Sequence, residues 1–126
     1  MATGTIPNPT PTLETVGVEY LTNEKFLGKP VYAKIISFGS LTANTDSVKE
    51  FRTLGSGVET PGHVVRWTAW ATASATVVAY APYDDGTAVL TGRALWYKAT
   101  YWRCRLVLKS NVAMTDAYGC VWYTLE

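Results

Sequence analysis

Gly28-Lys-Pro-Val-Tyr-Ala-Lys-Ile-Ile-Ser-Phe-Gly-Ser-Leu-Thr-Ala-Asn44 is the stretch from which the rest of the chain is read. Pro30 suits the first position of a strand, where a missing N–H costs little. From Val31 the residues alternate. Val31, Ala33 and Ile35 fall on one side, and Tyr32, Lys34, Ile36 and Phe38 on the other. That is the two-residue period of a β-strand, with branched residues where a pleated surface favours them. Gly39 is expected to end the run, and Ser40 to Ser47 supply the small polar residues of a loop.

The same period recurs along the chain. Val64 to Ala81 is its longest instance: Val65, Trp67, Ala69, Ala71, Ala73, Ala75, Val77 and Ala79 alternate with a mostly hydroxyl-bearing face. Strands average about five or six residues, so a break is expected near Ala71–Ser74 and two strands result. The alanines leave most of a roughly 10 Å inter-sheet gap unfilled. Either large residues opposite (Trp102, Leu106, Leu108) fill it by large–small interdigitation, or another chain approaches closely.

Outward from these runs, Thr15 to Leu27 reads as a short strand with a turn at Thr22–Lys25. Asp46 to Leu54 reads as a strand burying Val48 and Phe51. Ser47-Val-Lys-Glu50 has capping-box spacing, but it is too weak a signal to claim a helix. Asp85-Gly86 between two alternating runs marks a hairpin. Thr87 to Leu90 is its short return strand, ended at Thr91-Gly92, and Arg93 to Lys98 is the next. In Thr100 to Ser110, Trp102, Cys104, Leu106 and Leu108 face in, while Tyr101, Arg103, Arg105 and Lys109 face out. Asn111 to Ala117 is expected to be a loop, and Tyr118 to Leu125 a closing strand. Trp67, Trp102 and Trp122 are assigned to the core. Seven to nine short antiparallel strands with no convincing helix make an all-β domain, a β-sandwich of jelly-roll type.

With 126 residues the chain is one domain, large enough to bury about two-thirds of its unfolded surface. Residues 1–15 are expected to be an extended arm and 16–126 the single sandwich domain, because Pro7, Pro9 and Pro11 at alternate positions exclude helix and central strand; a disordered tail is the alternative for the arm. The net charge is +1 and the eleven basic residues are scattered, so nucleic acid is not indicated as a partner. No signal peptide or membrane-spanning segment is visible, and the opening Met reads as that of a complete small protein. Cys104 and Cys120 are too few for a disulfide scaffold and read as buried thiols, with a bond between them the alternative.

Nothing in the sequence assembles a catalytic or metal site. His63 is the single histidine and has no Asp or Cys partner at a recognisable spacing. Glycine-rich phosphate loops and nucleophile elbows are absent, and zinc would need more ligands than one His and two separated Cys. Asp84 and Asp85 are adjacent on a turn, too few for calcium and too divergent for glycoside hydrolysis. The chain therefore reads as a non-enzyme without cofactor or metal. Trp and Tyr together number thirteen, which fits strands, interfaces and sugar-stacking surfaces equally well. With no catalytic site, binding is the remaining candidate, since outward rings can stack on sugars. The candidate receptor-binding residues are Trp70, Tyr83, Asp84, Asp85, Tyr97, Tyr101 and Arg103. For Trp70, a subunit contact, the core and ligand stacking all remain open.

Two segments also resemble a known family. Gly28-Lys-Pro-Val-Tyr-x-Lys-x-Ile-x-Phe-Gly-x-Leu41 is similar to the start of the C-terminal domains of phage tail fibres and other virion fibres. Asp116-Ala-Tyr-Gly-Cys-Val-Trp-Tyr-Thr-Leu-Glu126 is similar to their closing strand, which usually ends in Tyr-Thr-Lys. Ala33 departs from the basic residue usual after the tyrosine. The resemblance implies a compact β-structure that forms homotrimers and presents a host-recognition surface. It also implies virion localisation and a host glycan or protein as partner. It permits the second reading of the alanine row, in which the alternating runs bury too little in one copy and three copies share their inner faces. Ile6, Pro7, Pro9 and Pro11 would then anchor the arm on other virion proteins. The alternative is an architectural capsid or tail decoration with no host ligand, and a free-standing carbohydrate-binding module is a third possibility.

Overall fold

Nine strands account for most of the described chain, in the order β1 (Glu19–Phe26), β2 (Lys29–Leu41), β3 (Ser47–Thr53), β4 (Val64–Ser74), β5 (Val77–Tyr80), β6 (Tyr83–Asp84), β7 (Val89–Lys98), β8 (Trp102–Ser110) and β9 (Met114–Tyr123). This is a computed structural model, and it describes residues 15–54, 61–74, 77–84, 86, 88–98 and 100–125. Most of the proposed arm, with Ile6, Pro7, Pro9 and Pro11, and the turn residue Asp85 lie outside the described residues. The strands form two antiparallel sheets, of order β1-β2-β9-β4-β5 and β3-β8-β7-β6. Among the described residues there is no helix, and so none long and apolar enough to cross a membrane.

The two sheets bury one face each against the other. Phe38, Ala69, Ala71, Ala117, Val121 and Tyr123 come from the five-stranded sheet. Phe51, Leu90, Cys104, Leu106 and Leu108 come from the four-stranded one, and together they make a single apolar cluster. The alanine row thus meets large residues of its own chain, Leu106 and Leu108 among them, as the interdigitation reading expects, and the alternative in which three copies share these inner faces gives way. Interdigitation runs both ways. A Cβ on Gly119 would lie 2.3 Å from Leu106 Cδ2, so Leu106 occupies the space above that glycine. A Cβ on Gly92 would meet the Val107 carbonyl at 2.8 Å and the Trp67 ring at 3.1 Å. Gly92 therefore sits inside an unbroken β7, not at the strand end expected from its turn-like sequence.

Other boundaries shift for local reasons. The chain reverses at Leu27-Gly28, with φ of +52° and +79°, as a two-residue hairpin turn requires. The expected turn at Thr22–Lys25 is instead a register shift within β1. There Thr22 Oγ1 donates to the Val31 carbonyl at 2.7 Å and accepts from Glu24 N–H at 3.1 Å. Gly39 does not end β2: it takes a φ of +67° between two register shifts, paired with Ala117, and pairing with β9 continues to Leu41. The long alternating run gives two strands as expected, β4 ending at Ser74 and β5 beginning at Val77. β9 begins at Met114, inside the segment read as a loop. Phe51 is buried as expected, but Val48 is 47% exposed because its side of β3 faces away from the core.

The cysteines are unbonded and buried. Cys104 points into the core. Cys120 lies on the opposite face of the five-stranded sheet, where its register partners are Ile35 and Thr68. Burial pushes the Cys104 thiol up to about 12 and the Cys120 thiol up to about 11 from an ordinary value of 9.0. Above pH 9 the unfolded chain ionises both thiols while the folded chain keeps them neutral, so folding stability falls as pH rises. Between pH 8 and 10.5 the expected loss is about 1–2 kcal/mol per thiol, read from urea denaturation. Cys104→Ala should lower the baseline and flatten that pH slope.

Candidate functional site

The outward faces of the two sheets differ in chemistry, and each follows from the strand period. On β4 the residues between the inward alanines are Arg66, Thr68, Trp70 and Thr72. On β9 they are Asp116, Tyr118, Cys120 and Trp122. Register places Trp70 opposite Tyr118 on one side and Tyr80 of β5 on the other. The Trp70 and Tyr118 rings stack at 5.5 Å with an interplanar angle of 23°. Three aromatic side chains thus run in a row across β9, β4 and β5. At the open end of the row Tyr80 is 66% exposed and its neighbour Val78 51% exposed.

Trp122 belongs to this outer face and not to the core, because it alternates with the inward Val121 and Tyr123. Its ring lies under the Arg66 guanidinium at 4.4 Å. Arg66 in turn grips Glu24 through two hydrogen bonds of 2.7 and 2.6 Å. That bidentate pair holds the Glu24 carboxyl below its usual range and the Arg66 guanidinium above its own, chiefly through the hydrogen bonds. This corner of the face is self-satisfied. Trp67 is packed against the core as expected. Trp102 is half-buried at the start of β8, with Lys98 Nζ 5.8 Å from its ring centre.

The outer face of the four-stranded sheet is cationic. Along β8 every second residue points outward: Arg103, Arg105, Val107 and Lys109. Arg93 of β7 lies directly opposite Val107, and Tyr97 directly opposite Arg103. The Arg105 guanidinium lies over the Tyr97 ring at 4.4 Å. From β3, Glu50 Oε1 accepts from Arg103 Nη1 at 3.3 Å and from Arg105 Nη2 at 3.1 Å. Arg93 Nη2 reaches Asp46 Oδ2 at 3.4 Å. Four cationic side chains therefore share a face with two carboxylates.

The candidate receptor residues divide among three places. Tyr97 and Arg103 are cross-strand partners on the cationic face. Tyr101 is exposed beside them, in the connection from β7 to β8. Trp70 is on the aromatic face of the other sheet, so it shares no site with those three. Tyr83 and Asp84 form β6, at the edge of the four-stranded sheet. Tyr83 packs against the core there. Asp84 Oδ1 accepts the Gly86 N–H at 2.9 Å, which closes the turn with Gly86 at a φ of +90°. The His63 ring packs against the Phe26 ring at 5.4 Å, and the His63 backbone N–H donates to Thr124 Oγ1 at 2.8 Å.

Sequence reading missed Arg105, Arg93 and Glu50 as members of one cluster with Arg103. The signal was available for β8, where Arg103, Arg105 and Lys109 alternate with apolar residues. Arg93 and Glu50 come from strands paired on either side, and that register is not written in the local sequence. No protein-family model, curated protein or solved structure matches the chain.

Proposed function

We propose that this chain is a virion attachment domain, placed at a fibre tip or virion surface, which assembles as a homotrimer and binds a host-envelope glycan or protein. The observation that carries the reading is the Tyr118–Trp70–Tyr80 row, which ends in a tyrosine 66% exposed. Aromatic rows of this kind are typical of subunit contacts, where large rigid rings bury area at low entropic cost. The two segments that resemble virion-fibre domains support it as well, since they supply β2 and β9, which pair at the middle of the five-stranded sheet. In this account the aromatic face closes against other copies and the four-stranded sheet faces the host. The arm with Ile6, Pro7, Pro9 and Pro11 docks on another virion protein.

Weak individual sites suffice for attachment, because three per trimer and several trimers per particle multiply avidity. The test is an array of bacterial surface glycans and envelope proteins probed with labelled wild-type protein. Binding to a defined subset, weakened by Tyr97→Ala or Arg103→Ala with the fold retained, is the expected result. If wild type binds nothing while remaining a trimer, an architectural decoration becomes the better account.

A further inference from the structure

Resting on that attachment reading, we infer that the outer face of the four-stranded sheet recognises an anionic polysaccharide through carboxylate groups held by Arg103 and Arg105. Both guanidiniums converge on a single oxygen, Glu50 Oε1. One carboxylate facing two guanidiniums leaves the cluster with an excess positive charge. The Nε–H groups of both arginines are buried with no hydrogen-bond acceptor among the described residues. Those Nε–H groups are closed to solvent, so an incoming carboxylate meets the remaining guanidinium edges of side chains 29% and 23% exposed, where the excess charge favours a further anion.

The surroundings fit a sugar acid better than a polynucleotide. Tyr97 is 44% exposed and Val48 47% exposed, and they flank the arginines together with the half-buried Leu95. Alternating apolar and cationic positions match a sugar chain whose rings carry carboxylates at intervals. Arg93 and Lys109 extend the positive row along β7 and β8 and provide a second contact for the next acidic residue. Asp46 and Glu50, facing the same row, would oppose a continuous phosphate backbone. Glu50 has a specific role in this arrangement: it occupies the arginines when ligand is absent and competes with the incoming carboxylate.

The experiment is fluorescence polarisation with labelled oligogalacturonate, a neutral oligosaccharide of equal length, and a single-stranded oligonucleotide. Wild type is expected to prefer oligogalacturonate, with affinity falling as salt rises. Arg105→Gln and Arg103→Gln should each weaken it by about tenfold or more, as loss of a charge-assisted hydrogen bond implies. Lys109→Gln leaves the Glu50 cluster intact and should cost about two- to threefold. Glu50→Gln is the decisive variant, because removing the competitor should tighten binding, whereas a merely structural role predicts weaker binding. Thermal melts establish that each variant is folded. Equal binding of the neutral sugar, indifference to the arginine changes, weaker binding by Glu50→Gln, or tighter binding of the oligonucleotide each overturns the inference. Binding of a neutral glycan alone would do so while leaving the attachment reading intact.

Discussion

Gly119→Ala is expected to destabilise the protein by about 3 kcal/mol, the upper end of what overpacking a core costs. The added methyl would stand 2.3 Å from Leu106 Cδ2 and 3.0 Å from Phe38 Cε1. Leu106 is fully buried within the core cluster, so shifting it disturbs the side chains packed around it. Gly119 also lies on β9, with β2 on one side and β4 on the other, so the backbone cannot yield without disturbing two ladders. The entropy gained by replacing glycine in the unfolded chain, about 0.4–1 kcal/mol, is too small to offset this. Urea denaturation measures the loss. The double variant with Leu106→Ala should be less destabilised than the two single losses added together, by about 0.5–3 kcal/mol. Strict additivity would mean that these residues of opposite sheets do not share one space.

The second large effect comes from Glu19, which joins the two sheets at one end. Its Oε1 accepts from Arg52 Nη1 of β3 at 2.7 Å, and its Oε2 accepts the Tyr123 hydroxyl of β9. Tyr123 is fully buried and held edge-on by Trp96 at 6.3 Å. Burial is the main cause that raises the Tyr123 phenol above its ordinary value, with the Glu19 carboxylate adding to it. The phenol therefore stays neutral in the folded chain after it ionises in the unfolded one, which adds to the loss of stability above pH 10. Glu19→Ala should cost about 2–3 kcal/mol, because it strands a buried hydroxyl and removes the Arg52 partner. Glu19→Ala combined with Tyr123→Phe should be more stable than Glu19→Ala alone, since the stranded hydroxyl is gone. Restored stability in the double variant, measured by urea denaturation, separates this mechanism from simple loss of packing.

Much of the sandwich was legible because its strands alternate strictly. Inward Trp67, Ala69, Ala71, Leu106 and Leu108 and outward Arg103, Arg105 and Lys109 all follow from period two. The errors arise where one residue type has two uses. Gly92 and Gly39 look like strand ends, yet one admits the Trp67 ring and the other a bulge. Trp122 looks like core by size, but parity within β9 places it outside, under Arg66. Val48 was misplaced because the period of its short edge strand is ambiguous. The candidate site was legible only as single residues. Tyr97, Arg103 and Arg105 meet Glu50 through pairing between β7, β8 and β3, and strand partners distant in sequence leave no local trace. The alanine row allowed two readings, and the one that matched it with Leu106 and Leu108 of the same chain holds, because the two sheets interdigitate large with small.

With the inner faces filled by one chain, the proposed trimer would close through the outer aromatic row. Light scattering on the purified protein at micromolar concentration tests this most directly. The account predicts a particle of three times the 13.8 kDa chain mass, reduced to the single mass by Tyr80→Lys with the fold unchanged. A wild-type protein that stays at the single mass would contradict it.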